Sequence, residues 1–513
     1  MTQPIEENSF TGKVSAEEAQ FLEKIDRWFD EHRNEFIQDL LEWVSFPSIA
    51  DEKLAQDGKP FGNEVDRVFE HVKARAKALG FKTESHEGYA ISVLSDDREN
   101  AQELGLVSHL DVVPAGDHWS FPPFEPFERD GFVIGRGSSD NKGPALLDLY
   151  LLRAFRDLDV SLHHKLRIIY GGAEEIGMND LKYFAKNGPV PRYSIITDGG
   201  FPVNYAQKGG LNLILHVPTG PLLSQLTAGV AENAVPSSAT LRLKGRKLAE
   251  VTQALGQISA SLSDNITVTE DAGEVLLVSH GKSGHAAFPE NTQNAIPILL
   301  DALVASELLS DADFRAAQAI SQLLADPWGK SAGIAFEDAE TGKLTLNGGL
   351  AIPSGQGVDL YLDIRYPLST DKTELFTALH RAIDPLNGKL TVLRDDAPTH
   401  IDKNSPLVKR LQTTFDEIAE TKTQPFTMGG ATHARVLPNS ITFGPGFGRN
   451  PALTFRGESV TTRPDFIPDG HGSPHGPDEF VSLENLKRAF KVYALTVPRF
   501  DQWLKQGLVD NDR

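Results

Sequence analysis

His109 and Asp111 stand two residues apart in the apolar run 105–113 (GLVSHLDVV), and Glu174 and Glu175 follow a second run, 166–171 (LRIIYG). Asp198 comes directly after a third, 193–197 (YSIIT). Asp140 sits in GRGSSDNKGP, where Gly135, Gly137 and Gly143 permit tight backbone turns. Late in the chain, HGSPHGPDEF offers His471 and His475. Taken singly, these residues have ordinary explanations: a histidine near a strand end is usually structural, and an adjacent Glu pair is usually solvated. Their conjunction is different. Acids and a histidine gathered at consecutive strand ends repel one another and lose solvation unless a cation compensates them. A mixed His and carboxylate set suits zinc, manganese or cobalt. Two ions fit better than one, because a shared carboxylate can bridge them about 3.5–4 Å apart. Glu174 and Glu175 point to opposite sides of an extended chain, so one can bind metal while the other serves as general base. Alternation puts Asp111 on the face of His109, where it can orient the ring and raise its basicity.

The three apolar runs suit strands of a sheet buried between helices. Residues 142–156 (KGPALLDLYLLRAFR) read as an amphipathic helix between the first two, and residues 16–44 and 63–79 carry the same spacing. Strand, helix, strand, helix, strand is the α/β pattern. In open α/β sheets ligands gather beyond the carboxyl ends of the strands, so the acids should converge there. After about residue 210 the texture changes. Alternating strands are expected at 211–217, 239–244, 274–280 and 357–364, with helices at 248–262 and 295–309. From about residue 395 the α/β character returns, with a helix at 406–419 and a strand at 440–443. The simplest organisation is one α/β domain made of residues 1–211 and 395–513, interrupted by an inserted α+β domain at 212–394.

Composition narrows the function. A chain of 513 residues exceeds one ordinary core. Fifty basic against seventy-one acidic residues give a net charge of -21, which disfavours nucleic acid and anionic membranes as partners. The chain has no cysteine, so disulfides, thiol nucleophiles and thiolate metal sites are excluded. The opening MTQPIEENSFTGKVSAEE lacks the basic and apolar regions of a signal peptide, and no apolar stretch reaches eighteen residues, so the expected compartment is the cytoplasm. No His-Glu-x-x-His or dinucleotide-binding Gly-x-Gly-x-x-Gly is present.

The motifs SHLDVVPAGDHW, GRGSSDNKGP, GGAEEIG, ITDGG, GKSGHAAFPENTQNA and HGPDEF occur in this order between residues 108 and 480. Together they resemble the metallopeptidase family that includes aminoacylase, carboxypeptidase G, acetylornithine deacetylase, carnosinase and the PepV-type dipeptidases. The resemblance implies an α/β metallopeptidase domain, its mixed sheet lying between helices, with the inserted domain as a lid. It implies two divalent ions, zinc foremost. His109 and Asp198 resemble the ligands of one, Glu175 and His475 those of the other, and Asp140 the bridge. By the same resemblance Glu174 is the general base, Asp111 the orienting aspartate, and the Asp140–Asn141 peptide cis. His475 rather than His471 fits the pattern, because Pro-Asp-Glu follows it. On the lid, His285 resembles the histidine that steadies the oxyanion, Arg365 the arginine that grips a substrate carboxylate, and Asn233 a further contact. Gly429 and Gly430 resemble a substrate-binding loop, in which His433 replaces an expected tyrosine and would alter side-chain preference. The match is best to the PepV-type branch, whose long lid implies a monomer. The function implied is hydrolysis of dipeptides. The rivals are an N-acyl-amino-acid deacylase of the same family and a non-catalytic binding protein derived from it.

Overall fold

The structure, a computed structural model, describes residues 13–309, 311–447 and 453–509. Residues 1–12, which carry most of the opening segment read above for a signal peptide, lie outside the described residues. No helix among the described residues is long and apolar enough to cross a membrane.

The apolar spacing at the start of the chain gives one continuous helix, Ala16–Ser45. Ser15 caps it. Its hydroxyl accepts from the Glu18 N–H, and the Glu18 carboxylate accepts from the Ser15 N–H, satisfying donors that a helix start otherwise leaves orphaned. The buried face of this helix packs on Gly143–Asp157 and on the closing helix Leu483–Lys505, with Trp28 stacked on Phe490 at 5.7 Å between ring centroids.

These helices cover a nine-stranded sheet. Its order is Lys82–His86, Ala90–Leu94, Lys165–Gly171, Glu103–His109, Tyr193–Ile196, Ser440–Thr442, Asn204–Gln207 and Thr399–His400, with Phe426–Met428 also pairing with Asn204–Gln207. The centre is parallel, from Lys165–Gly171 through Glu103–His109 and Tyr193–Ile196 to Ser440–Thr442. The flanks add antiparallel pairs, so the sheet is mixed as expected. The registers His109↔Gly171 and Val107↔Ile196 bring three carboxyl ends level. The first strand stops at His109 rather than running on to residue 113. The Leu110 N–H turns to the Gly171 carbonyl and the Val112 N–H to that of Ser48. Asp111 therefore lies in a loop, and strand alternation does not set its direction.

A second sheet of eight strands is antiparallel throughout. Its order is Ile266–Asp271, Glu274–His280, Ser238–Leu243, Thr227–Ala228, Thr345–Ser354, Gly357–Tyr366, Gly209–Pro218 and Lys389–Asp396. Helices Ala295–Ala305 and Asp311–Leu324 pack on it. The helix expected over 248–262 ends at Leu255, where Gly256 weakens further propagation, and a short turn Ala260–Ser263 follows. The buried apolar residues form two large separate cores, one drawn from residues 22–206 and 407–509 and the other from 211–386, with a smaller cluster around Val107, Ile169, Phe184 and Leu437.

Asp148, on Gly143–Asp157, lies fully buried beneath the strand ends. It accepts from Ser108 Oγ at 3.1 Å and from Thr197 Oγ1 at 2.6 Å. Burial pushes its carboxyl up to about 8, against the pull of the two hydroxyls. An acid raised on folding binds more protons in the native state, so its contribution to stability falls as pH climbs from its unfolded value near 3.9 toward 8. Asp148→Asn removes that loss. Between pH 5 and pH 8 the stability difference should move in favour of the variant by several kcal/mol, at about 1.36 kcal/mol per pH unit. Urea midpoints measured across this range test it, and a difference that does not change with pH rejects a protonated Asp148.

Candidate active site

The level strand ends and two loops converge on the floor of a 1910 Å³ cleft. His109 Nε2 lies 3.1 Å from Asp140 Oδ1 and 3.8 Å from Asp198 Oδ1. His475 Nε2 lies 3.0 Å from Glu175 Oε1 and 3.3 Å from Asp140 Oδ2. The Asp140 carboxylate thus stands between the two imidazoles, with one oxygen toward each. Ligand atoms of His109, Asp140 and Glu175 fall within 4.8 Å of one another, as do those of His109, Glu174 and Asp198. Oε1 of Glu174 is buried without a hydrogen-bond partner.

The electrostatics follow from crowding charges away from water. Burial alone would lower both histidines. The carboxylates of Asp198, Asp111 and Asp140 instead hold His109 well above its ordinary value, and Glu175 and Asp140 carry His475 to about 10. Burial pushes Asp198 up to about 6 and, with the repulsion of Asp198, drives Glu174 well above the carboxylate range. Asp140 goes the other way: against its burial, His109 and His475 hold it well below. Protons on the imidazoles are one way to balance this set. Divalent cations held by its nitrogen and oxygen donors are the other, and the buried, mutually aimed donors with an orphaned Glu174 oxygen fit them.

Local structure explains how each group is held. The backbone N–H groups of Gly137, Ser139 and Asp140 donate to the Glu479 carboxylate at 2.9–3.2 Å, and Arg136 pairs with the same carboxylate at 2.7 Å. The Asp140–Asn141 peptide is cis, as the resemblance implied. Asn141 Nδ2 donates to Asp198 Oδ1 at 2.7 Å. Asp111 has two tasks. Its backbone carbonyl lies 3.0 Å from His109 Nδ1 and its Oδ1 3.4 Å away, while its two carboxylate oxygens accept the Glu174 and Glu175 N–H groups at 3.1 Å each. The second task was not foreseen. His471 is tied at 2.6 Å to Asp478, whose other oxygen accepts the Ser120 N–H.

The inserted domain reaches this centre within the same chain. Asn233 Nδ2 donates to Glu175 Oε2 at 3.1 Å. The His285 ring stacks on His475 with 4.4 Å between centroids. Arg365 lines the cleft, yet its guanidinium is already paired with Asp363 through two 2.6 Å bonds. Gly430 also lines the cleft. Gly429 instead lies against the lid, where a Cβ would come 2.9 Å from the Ala287 carbonyl oxygen. His433 does not face substrate space. It is fully buried, its Nε2 lies 3.1 Å from Asp180, and Asp180 accepts the Ala173 N–H just ahead of Glu174. Its effect is therefore on the Glu174–Glu175 segment from behind. Reasoning from sequence missed Asn141, Asp180, Arg136 and Glu479. Three of them lay inside motifs already singled out, and Asp180 carried no signal.

An α/β sheet bearing a buried carboxylate–histidine centre at its carboxyl edge, roofed by an inserted domain, defines a metallohydrolase. The profile of peptidase family M20/M25/M40 matches residues 105–499, and the chain belongs to that family. It is a metallopeptidase, a hydrolase of peptide bonds. The chain is 29% identical over 474 residues to a Bacillus subtilis protein named "Putative dipeptidase YtjP", covering 91% of this chain and 97% of that one. It is 25% identical over 445 residues to the Staphylococcus aureus "Putative dipeptidase SAUSA300_1697", covering 84% and 94%. Among solved structures, human carnosine dipeptidase 1 shares the fold at a TM-score of 0.53 and 17% identity, covering 94% of this chain and all of that one. The di-peptidase Dug1p of Saccharomyces cerevisiae does so at 0.57 and 15%, covering 94% and 98%.

Proposed function

We propose that this chain hydrolyses dipeptides at a two-cation site. His109 and Asp198 would hold one ion, Glu175 and His475 the other, and Asp140 would bridge them. The observation that carries this reading is the Asp140 carboxylate, with one oxygen turned to each histidine. Zinc is the first expectation, with manganese and cobalt as alternatives. Bound there, such ions supply Lewis-acid polarisation of the scissile carbonyl and make water easier to ionise near neutral pH. The remaining chemistry belongs to the chain. Glu174 accepts the proton of the attacking water and returns it to the leaving amine. Its carboxyl, raised by burial, suits holding that proton between the two steps. Asp111 fixes the direction of Glu174 through the backbone. His285 donates to the oxygen that gains charge on the carbonyl. Arg365, aimed by Asp363, meets the substrate α-carboxylate with its remaining N–H groups. The lid residues of one chain approach its own centre, which supports a monomer.

That relatives carry the name "Putative dipeptidase" supports free dipeptides as the substrates of this chain. Turnover of one dipeptide should exceed that of its N-acetylated form by at least tenfold in kcat/KM with the cation-loaded protein, and chelation should abolish both. A preference for the acetylated form rejects the dipeptidase reading in favour of deacylation. Purified protein that takes up no divalent ion from zinc or manganese rejects the cation site.

A further inference from the structure

Seven large hydrophobic side chains are exposed among the described residues, and four of them line the cleft that holds the centre. They are Ile176 (43% exposed), Val230 (45%), Phe288 (36%) and Leu393 (47%). Exposed apolar residues scattered singly over a surface need no explanation, but a convergent group marks a binding site. Three of the four lie within three residues of a group of the centre or lid, and the fourth, Leu393, adjoins another residue of the cleft lining. Ile176 follows Glu175, Leu393 precedes Arg394, Val230 lies three residues before Asn233, and Phe288 three after His285.

The four come from separate segments that the fold apposes in pairs. A Cβ on Gly177 would lie 3.7 Å from Arg394 Nη1, so the Arg394 side chain reaches from the segment of Leu393 to that of Ile176. Those carrying Val230 and Phe288 are joined by the pairing of Ala234 with His285 and by the Ala286 N–H donating to the Asn233 carbonyl at 2.9 Å. The Phe288 ring lies 5.5 Å from that of His285. Charged side chains of both signs also line the cleft, Lys182 and Lys282 beside Glu232 and Glu290 among them.

We infer that Ile176, Val230, Phe288 and Leu393 form an apolar subsite that selects peptides carrying a bulky aliphatic or aromatic side chain. The inference rests on the dipeptidase reading and names its substrate class. Water held against these side chains is released when an apolar substrate group covers them, and pocket discrimination by one methylene reaches 10–200-fold.

The test measures kcat/KM of the cation-loaded protein for Ala-Ala, Leu-Ala, Ala-Leu, Phe-Ala, Ser-Ala, Glu-Ala and Lys-Ala. At least one Leu or Phe substrate should exceed Ala-Ala by about tenfold or more, with Ser, Glu and Lys substrates below it. In Val230→Ser and Leu393→Ser, exposed substitutions that leave the cores intact, the ratio of the preferred substrate to Ala-Ala should fall toward one. Equal rates across the series, or a preference for Glu or Lys, overturn the subsite while leaving a dipeptidase standing. Ratios unchanged in both variants also overturn it. No turnover of any dipeptide overturns the subsite together with the dipeptidase reading.

Discussion

Glu174→Ala should lower kcat by roughly 10²–10⁴-fold, the range that proton transfer by a positioned side chain contributes, while both cations stay bound. The argument rests on where the carboxylate is held. Asp111 accepts the N–H groups of Glu174 and Glu175 with its two oxygens, so the two side chains leave a fixed backbone in different directions. Glu175 meets His475 and Asn233, whereas Oε1 of Glu174 is buried without a partner. Burial and the repulsion of Asp198 raise the Glu174 carboxyl well above the ordinary range, and divalent cations bound beside it would favour the charged form that can take a proton. A competing geometry is also present, because Glu174 falls with His109 and Asp198 in one cluster of potential ligand atoms. Metal content separates the two. A variant that keeps two ions per chain and loses hydrolysis identifies a base, and one that loses an ion identifies a ligand. Retention of most activity rejects both. Glu174→Gln, close in shape but unable to take the proton, should fall as far as alanine.

What could be read from the sequence divides along a physical line. Local signals survived folding. The helix Pro406–Ala419 has the expected bounds because Ser405 caps its start, proline fits its first turn, and Glu420 ends it in a left-handed conformation. The strand ends before Glu174 and Asp198 were legible because continuous apolar runs stop there, whereas the run through His109 continues to residue 113 and its strand does not; parallel pairing makes all three ends neighbours. Arg365 was legible as a cleft residue, but its pairing with Asp363 was overlooked, although residues two apart on a strand share a face. Contacts that depend on tertiary approach were out of reach. The lid's use of Gly429 against Ala287 needs both domains to be placed. His433 sits where a substrate-facing residue was expected, and only the fold reveals Asp180 behind it. Asp111 lay in a familiar motif, yet its hold on the Glu174–Glu175 backbone follows from a loop that a continued strand would not have formed.

The partnership of Arg136 with Glu479 is the longest of these contacts, and its loss should be the most damaging to the fold of the site. The residues lie 343 positions apart, and their side chains are 1% and 0% exposed. Burial pushes the Glu479 carboxyl up, and the Arg136 guanidinium pulls it back toward the charged form. Besides that charge, Glu479 receives the N–H groups of Gly137, Ser139 and Asp140, so one carboxylate closes the turn that aims Asp140 at both histidines. Glu479→Ala leaves a buried guanidinium unpaired, a loss of about 3–5 kcal/mol, and sets three backbone donors adrift. Urea unfolding of the chelator-treated protein should show that loss as a lowered midpoint at unchanged slope. Because the proposed two-cation site sets Asp140 between both positions, affinity for the two ions should fall together rather than one at a time. Glu479→Gln keeps an acceptor for the turn but not the charge, and should lie between the alanine variant and the parent in both measurements. An unfolding free energy within about 1 kcal/mol of the parent, or weakened binding of a single ion, would show that the turn holds Asp140 without Glu479.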